Sequence, residues 1–244
     1  MAKTLADWVA TEVHPHRDKP LSWLSEQHFF RDPLRPAYSD ASVFFSPADG
    51  TILYQMVVEP TEAIVDIKGK AYSLQDALFD STYNQKSIVA SIFMAGWDVH
   101  INRIPYSGRL SYRLLDPIAT YNHSMLDMER AILEEVEHLP LEEATYMRHN
   151  QRMVNRIDST QLGQSYYIIQ IADYEVNCVT PFELRQNWPC LQGQRFSAIR
   201  FGSELTVIIP CSPHYDFVPM QSVGMHVEAG VDPIFQVQPK GHTG

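Results

Sequence analysis

Three cysteines in 244 residues are too few for a disulfide scaffold. Cys178, Cys190 and Cys211 are odd in number, widely spaced and free of any CxxC pair. They read as small buried side chains in a reducing compartment, not as a zinc or disulfide framework. Long apolar runs are also missing, since nothing approaches the roughly 18 residues that a membrane span needs. Met1 to Trp8 carries one lysine and no apolar stretch, so no secretory signal is expected and the default location is cytoplasmic. Basic charge is scarce: 19 Lys and Arg stand against 29 Asp and Glu, a net −10 with histidine neutral. That balance excludes broad nucleic-acid binding, in which basic surface supplies most of the affinity. It also disfavours purely electrostatic docking on anionic lipid. Internal repeats and low-complexity tracts are absent.

What is present is a hydrophobic fraction of 45% with 20% charge, enough to bury the core of one ordinary domain. Residues 1–40 read as short helices broken at Pro15 and Pro20. Leu5, Trp8, Val9 and Val13 fall at helical spacing. They form an apolar stripe that packs on the protein's own core or, alternatively, makes peripheral membrane contact. From Val43 onward β-branched and aromatic residues predict strands: 43–45, 51–58, 63–67, 88–94, 109–114, 166–172, 175–179, 197–201 and 205–210, then a hairpin-like tail over 218–237. Met125, Met128, Ile132, Val136 and Leu139 predict one amphipathic helix ending at Pro140, with a second short helix from Leu141. The expected fold class is α+β, a mostly antiparallel β core with N-terminal helices and one helical insertion. The expected division is a helical segment over 1–40 and a main domain over 41–244.

Three segments set polar residues among apolar strands. Ser46-Pro47-Ala48-Asp49-Gly50 places a carboxylate in a turn, where aspartate ordinarily bonds to its own backbone. In Asp98-Val99-His100-Ile101-Asn102-Arg103-Ile104-Pro105, alternation puts Asp98, His100 and Asn102 on one strand face, as a solvent face or as one wall of a site. In Phe201-Gly202-Ser203, glycine before serine at a strand start permits a strained turn. His14-x-His16 lacks further ligands nearby, and no metal is expected.

In this order the segments resemble the phosphatidylserine decarboxylase family, whose members are pyruvoyl-dependent. The resemblance runs from Ser46 to Val237. It takes in Lys68-Gly69-Lys70-Ala71-Tyr72-Ser73-Leu74 with Leu78, then Gly108, and Val223-Gly224 with Val227-Glu228-Ala229-Gly230. It implies that Ser203 Oγ attacks the Gly202 carbonyl and that the chain splits into 1–202 and 203–244. Ser203 then becomes a covalent pyruvoyl group, the only cofactor implied. In turnover the substrate amine would form a Schiff base with that ketone, and a proton donor would quench the carbanion left by CO2; His100 is the natural candidate. Asp49 matches the carboxylate of the self-cleavage base system. One branch of the family has a second histidine three residues after the first, and this chain has Arg103 there. Either His100 serves both maturation and decarboxylation, the reading adopted here, or Asp49 works through water. His100, Tyr72 and Arg103 are the candidate substrate contacts, and the resemblance implies a homodimer.

The leading expectation is conversion of phosphatidylserine to phosphatidylethanolamine and CO2. A soluble amino acid or amino-acid derivative is the alternative substrate within the same chemistry. A non-catalytic barrel-type binding module is the alternative of another class, although a biotinyl or lipoyl carrier needs a hairpin lysine that residues 218–237 lack.

Overall fold

Strands rich in Ile, Val and Phe that are buried on both faces demand cover on both sides, and the computed structural model provides it. It describes residues 1–36, 39–115, 122–136, 138–173, 178–200 and 202–241. Eight strands form one antiparallel sheet. Their spatial order is Trp188–Cys190, Gly108–Leu115, Arg152–Ser159, Gln164–Ala172, Ser203–Pro210, Ser87–Met94, Gly50–Val58 and His226–Val227. One face, with Phe93, Ile171 and Ile208, packs under Trp8, Leu74, Met128 and Tyr146 from the helices. The opposite face, with Ile92, Leu205 and Val207, packs on Phe44, Phe196 and Phe235 from two three-stranded sheets. The α+β class expected from sequence is the observed one.

The N-terminal stripe packs inward: Trp8, Val9 and Val13 are buried, and Leu5 lies against the same core. Lys3 exchanges two backbone hydrogen bonds with His226, so the N-terminal segment extends the sheet edge. No described helix is long and apolar enough to cross a membrane.

Several expectations need correction. The long helix spans only Leu126–Leu133, because Glu135 takes a left-handed conformation (φ +54°) that ends it without a glycine. The helix expected from Leu141 is a 3-10 turn, Leu141–Glu143, followed by Tyr146–His149. The predicted alternation over 98–103 fails, since the strand covers only Ile101–Arg103. Asp98 instead closes a turn in which its Oδ2 accepts the Ala95 N–H at 2.8 Å. Ser203 already belongs to the strand, and the turn expected before it begins at Phe201, outside the described residues. In the tail, Tyr215–Pro219 pairs with Pro233–Pro239 as a hairpin, but His226–Val227 leaves it to pair with Gly50 and Thr51. Cys178 and Cys190 are buried, whereas Cys211 is exposed. The strand expected over 175–179 falls largely outside the described residues, as does Phe201.

Gly50 shows how tightly the site-bearing turn is built. Its φ is +153°, and a Cβ there would stand 2.1 Å from the Phe93 carbonyl oxygen. Gly50→Ala is therefore expected to destabilise the protein by about 3–5 kcal/mol, read as a lowered urea midpoint with an unchanged slope.

Candidate active site

Ser203 opens the central strand. It faces Met94 on one neighbour and Ala172 on the other, and it is completely buried. Strand alternation sends Ser203 to the face shared with Leu205 and Val207, and Glu204 to the face of the helices. Ser203 Oγ donates to Met94 Sδ at 3.3 Å, a weak acceptor. Behind that sulfur runs a buried amide chain. Asn102 Nδ2 lies 3.5 Å from Met94 Sδ, Gln170 Nε2 donates to Asn102 Oδ1 at 2.6 Å, and Gln170 also donates to Ser197 Oγ. On the N-terminal side of Ser203, a Cβ on Gly202 would come within 3.0 Å of Asp173 Oδ2. Glycine thus stands where Asp173 closes on the chain. Asp173 Oδ1 accepts the Met125 N–H (2.8 Å), and its backbone carbonyl accepts Asn122 Nδ2 (2.7 Å).

Glu204 is the next residue and also fully buried. It accepts Ser91 Oγ at 2.6 Å and the Tyr146 hydroxyl at 2.9 Å. Burial pushes its carboxyl up, and these hydrogen bonds only partly oppose the shift. Burial, with Glu204 alongside, likewise drives the Tyr54 and Tyr146 hydroxyls upward, which keeps them donors.

His100 is buried with its ring 4.4 Å from that of Phe29. Its Nδ1 lies 3.0 Å from the Asp98 carbonyl, an acceptor only, so Nδ1 carries a proton. Its own carbonyl accepts the Ile199 N–H at 3.1 Å, which fixes it beside the strand that leads to Gly202.

Asp49 precedes the strand that pairs with Ser87–Met94, so it stands near the same end of that strand as Ser203. It does not shape its own turn: Oδ1 accepts the Ala229 N–H and Oδ2 pairs with Arg35, both at 2.7 Å. Burial pushes the Asp49 carboxyl up to about 6 in spite of Arg35 and that N–H. Arg35 is shared with Glu228 at 2.5 Å. In the same cavity of about 290 Å³, Asp98 Oδ1 meets His226 Nε2 at 2.7 Å, and Trp8 stacks on the His226 ring at 4.7 Å. Arg103 does not fill the place of a second histidine at Asp49, because its guanidinium is tied to Asp32 (3.0 Å) and to the Gly193 carbonyl (3.1 Å). Tyr72 lines a different cavity, on the helix-covered face.

Sequence reading missed Arg35, His226, Asp173 and Glu204. Only Glu204 carried a signal, a carboxylate inside the apolar run that follows Ser203. Among the described residues no cluster of His, Cys, Asp and Glu has the arrangement of a metal site.

Comparison with known proteins first defines a class. The chain is 33% identical over 205 residues to the phosphatidylserine decarboxylase proenzyme of Erythrobacter litoralis, covering 83% of this chain and 69% of that one. It is 32% identical over 204 residues to the proenzyme of the same name from Novosphingobium aromaticivorans, covering 83% and 68%. It is 30% identical over 193 residues to the putative archaetidylserine decarboxylase proenzyme of Methanocaldococcus jannaschii, covering 76% and 78%. The class is that of carboxy-lyases made as proenzymes. The sequence pattern of phosphatidylserine decarboxylase matches residues 27–234, a span that contains Asp49, His100 and Ser203. The chain belongs to the phosphatidylserine decarboxylase family.

Proposed function

We propose that this chain cleaves itself between Gly202 and Ser203, carries Ser203 onward as a pyruvoyl group, and decarboxylates the serine headgroup of phosphatidylserine. The observation that carries the proposal is the position of Ser203 as the first residue of the central strand. Two ladders pin that strand, to Ser87–Met94 and to Gln164–Ala172. Further pairing holds Pro233–Pro239 to Val43–Phe45 and His226 to Thr51. A break just before Ser203 therefore leaves the strands of the C-terminal piece, Ser203–Pro210 and Pro233–Pro239 among them, paired in the fold with a new terminus in a buried site.

The chemistry balances on atoms the chain contains, plus one water. Ser203 Oγ adds to the Gly202 carbonyl carbon, and the acyl group passes from nitrogen to oxygen. Elimination then releases the Gly202 carboxylate. Water replaces the former amine nitrogen, which leaves as ammonia. A hydroxyl needs a base for the first step, and His100, fixed beside the strand that leads to Gly202, is the residue assigned to it. Asp49, held near 6 by burial, is poised to take up or release a proton at neutral pH. The pyruvoyl group supplies a ketone for the substrate amine and an amide carbonyl that draws electrons from the breaking C–CO2 bond. The site fits such a group because it consists of Ser203's own atoms, in a position shut off from water. His100 then returns a proton to the substrate α-carbon. The lipid substrate is supported by the relatives' names, which differ in the lipid and share serine. The expected division into a segment over 1–40 and a decarboxylase domain over 41–244 belongs to the same proposal, as do the homodimer and peripheral membrane contact.

Intact-mass measurement of the purified protein tests this reading. The 27.9 kDa chain should give two fragments, the smaller about 5 kDa by proportion. Their summed mass should exceed that of the precursor by about 1 Da, the difference between water gained and ammonia lost. The small fragment should also react with hydrazine reagents. A folded protein that stays whole and ketone-free refutes the proposal.

A further inference from the structure

His226 comes from the last tenth of the chain and meets Asp98 in the Asp49 cavity, Nε2 to Oδ1 at 2.7 Å. Both side chains are buried. An ionised carboxylate only accepts, so the proton of this contact sits on Nε2. Nδ1 has no hydrogen-bond partner among the described residues. One polar contact and the stack on Trp8, with the ring planes 15° apart, therefore hold the ring. The His226 backbone is fixed separately, by its exchange with Lys3 and its pairing with Thr51. A buried pair of this kind adds little stability of its own, since apolar side chains of similar volume often serve as well. Its use lies in what Asp98 holds.

Asp98 closes the turn that follows the strand Ser87–Met94. Its N–H donates to the Ala95 carbonyl at 2.9 Å, and its Oδ2 accepts the Ala95 N–H at 2.8 Å. With Oδ1 taken by His226, both carboxylate oxygens are tied and the residue is pinned in one orientation. Its backbone carbonyl is the acceptor for His100 Nδ1 at 3.0 Å. Arg31 Nη1 also reaches that carbonyl, at 3.3 Å, while its Nη2 donates to the Trp97 carbonyl at 2.5 Å. At the other end of the turn, Met94 lies opposite Ser203 and takes its Oγ at 3.3 Å. The turn thus joins the strand partner of Ser203 to His100, and His226 ties it from outside. The partner of one imidazole nitrogen decides the ring's orientation and which nitrogen carries the proton.

A break before Ser203 would give the contact a second consequence. Lys3, Trp8, Asp98 and His100 lie in residues 1–202, whereas His226 goes with residues 203–244, the piece that begins at Ser203. The contact then runs between two polypeptides. The piece that carries the electrophile would also hold the histidine that serves it.

We propose that His226 is a positioning residue: by fixing the Asp98 turn it orients the His100 imidazole toward its proton transfers. The inference rests on the decarboxylase reading above and adds a residue to it.

Two substitutions separate the donor from the ring. His226→Gln places an amide nitrogen close to Nε2 and can still donate to Asp98. His226→Phe keeps an aromatic face against Trp8 and cannot donate. In the self-processed enzyme acting on short-chain phosphatidylserine, His226→Phe should lower kcat about tenfold or more and leave KM within about twofold. Self-cleavage should slow by a similar factor, and His226→Gln should stay within about threefold of the parent in both steps. Parental rates in His226→Phe overturn the proposal, and so does His226→Gln falling as far as His226→Phe. Hydrogen exchange followed by NMR on the uncleavable Ser203→Ala chain is independent of turnover. There the His100 Nδ1 proton should exchange about tenfold faster when His226→Phe is added, while the Leu205 amide in the central strand exchanges as before. That result supports the positioning role even if the parent chain never cleaves itself. Unchanged exchange at His100 overturns it, and exchange that quickens equally at Leu205 overturns it by making His226 a structural residue.

Discussion

Ser203→Ala should leave a single chain of 27.9 kDa, with no ketone and no CO2 released from serine-headgroup lipid. The effect is expected to be complete, because the hydroxyl supplies both the attacking atom and the carbon skeleton of the electrophile. No neighbouring group can substitute for it. Stability, in contrast, should barely move. The lost hydrogen bond runs to a thioether, and the β-methylene that packs in the strand remains. The cost should be within about 1 kcal/mol. Activity lost with the melting transition unchanged would separate a chemical role from a structural one. Cleavage that persists at the same bond in Ser203→Ala would remove the assignment of this residue. Mass spectrometry of parent and variant, purified side by side, decides the matter.

Much of this fold could be read from local sequence. The β-branched run 88–94 became Ser87–Met94, and 205–210 became Ser203–Pro210, because strands buried on both faces leave a continuous apolar signature. The insertion helix was overextended for a physical reason. Val136 and Leu139 keep the helical spacing, but Glu135 reverses the chain in a left-handed conformation that its side chain does not announce. The candidate site was legible only as isolated words. Asp49, His100 and Ser203 each sit in a recognisable segment, yet what they touch comes from far along the chain. Arg35 reaches Asp49 from 14 residues away, and His226 reaches Asp98 from 128. Such pairs follow from strand order, and strand order is a property of the whole sheet.

Asp49→Asn should do the opposite of what a buried ion pair suggests: stop self-cleavage while leaving the protein as stable as its parent, or more so, at neutral pH. Burial raises the Asp49 carboxyl from 3.8 to about 6 in the folded protein. The native state therefore holds a proton that the unfolded chain releases near 4. The neutral carboxyl stabilises the fold below the unfolded value, and that contribution is lost as pH rises through about 6. Across this window the loss amounts to about 3 kcal/mol. Asparagine never ionises, so it escapes this loss. Its amide oxygen can still accept the Ala229 N–H, and Arg35 keeps Glu228 at 2.5 Å. Urea melts at pH 5 and pH 7.5 should show the difference between parent and variant shifting toward the parent on acidification, with contributions from shared groups cancelling. Self-cleavage of the parent should quicken as pH rises through about 6, where Asp49 becomes a carboxylate, and the variant should be slower by about 100-fold or more. Processing at the parental rate in Asp49→Asn would show that His100 acts without the carboxylate. An unstable variant would mean that Arg35 and Asp49 hold the fold together. The expected combination, a chain that persists uncut yet melts no earlier than its parent, identifies Asp49 as a residue kept for chemistry at the expense of stability.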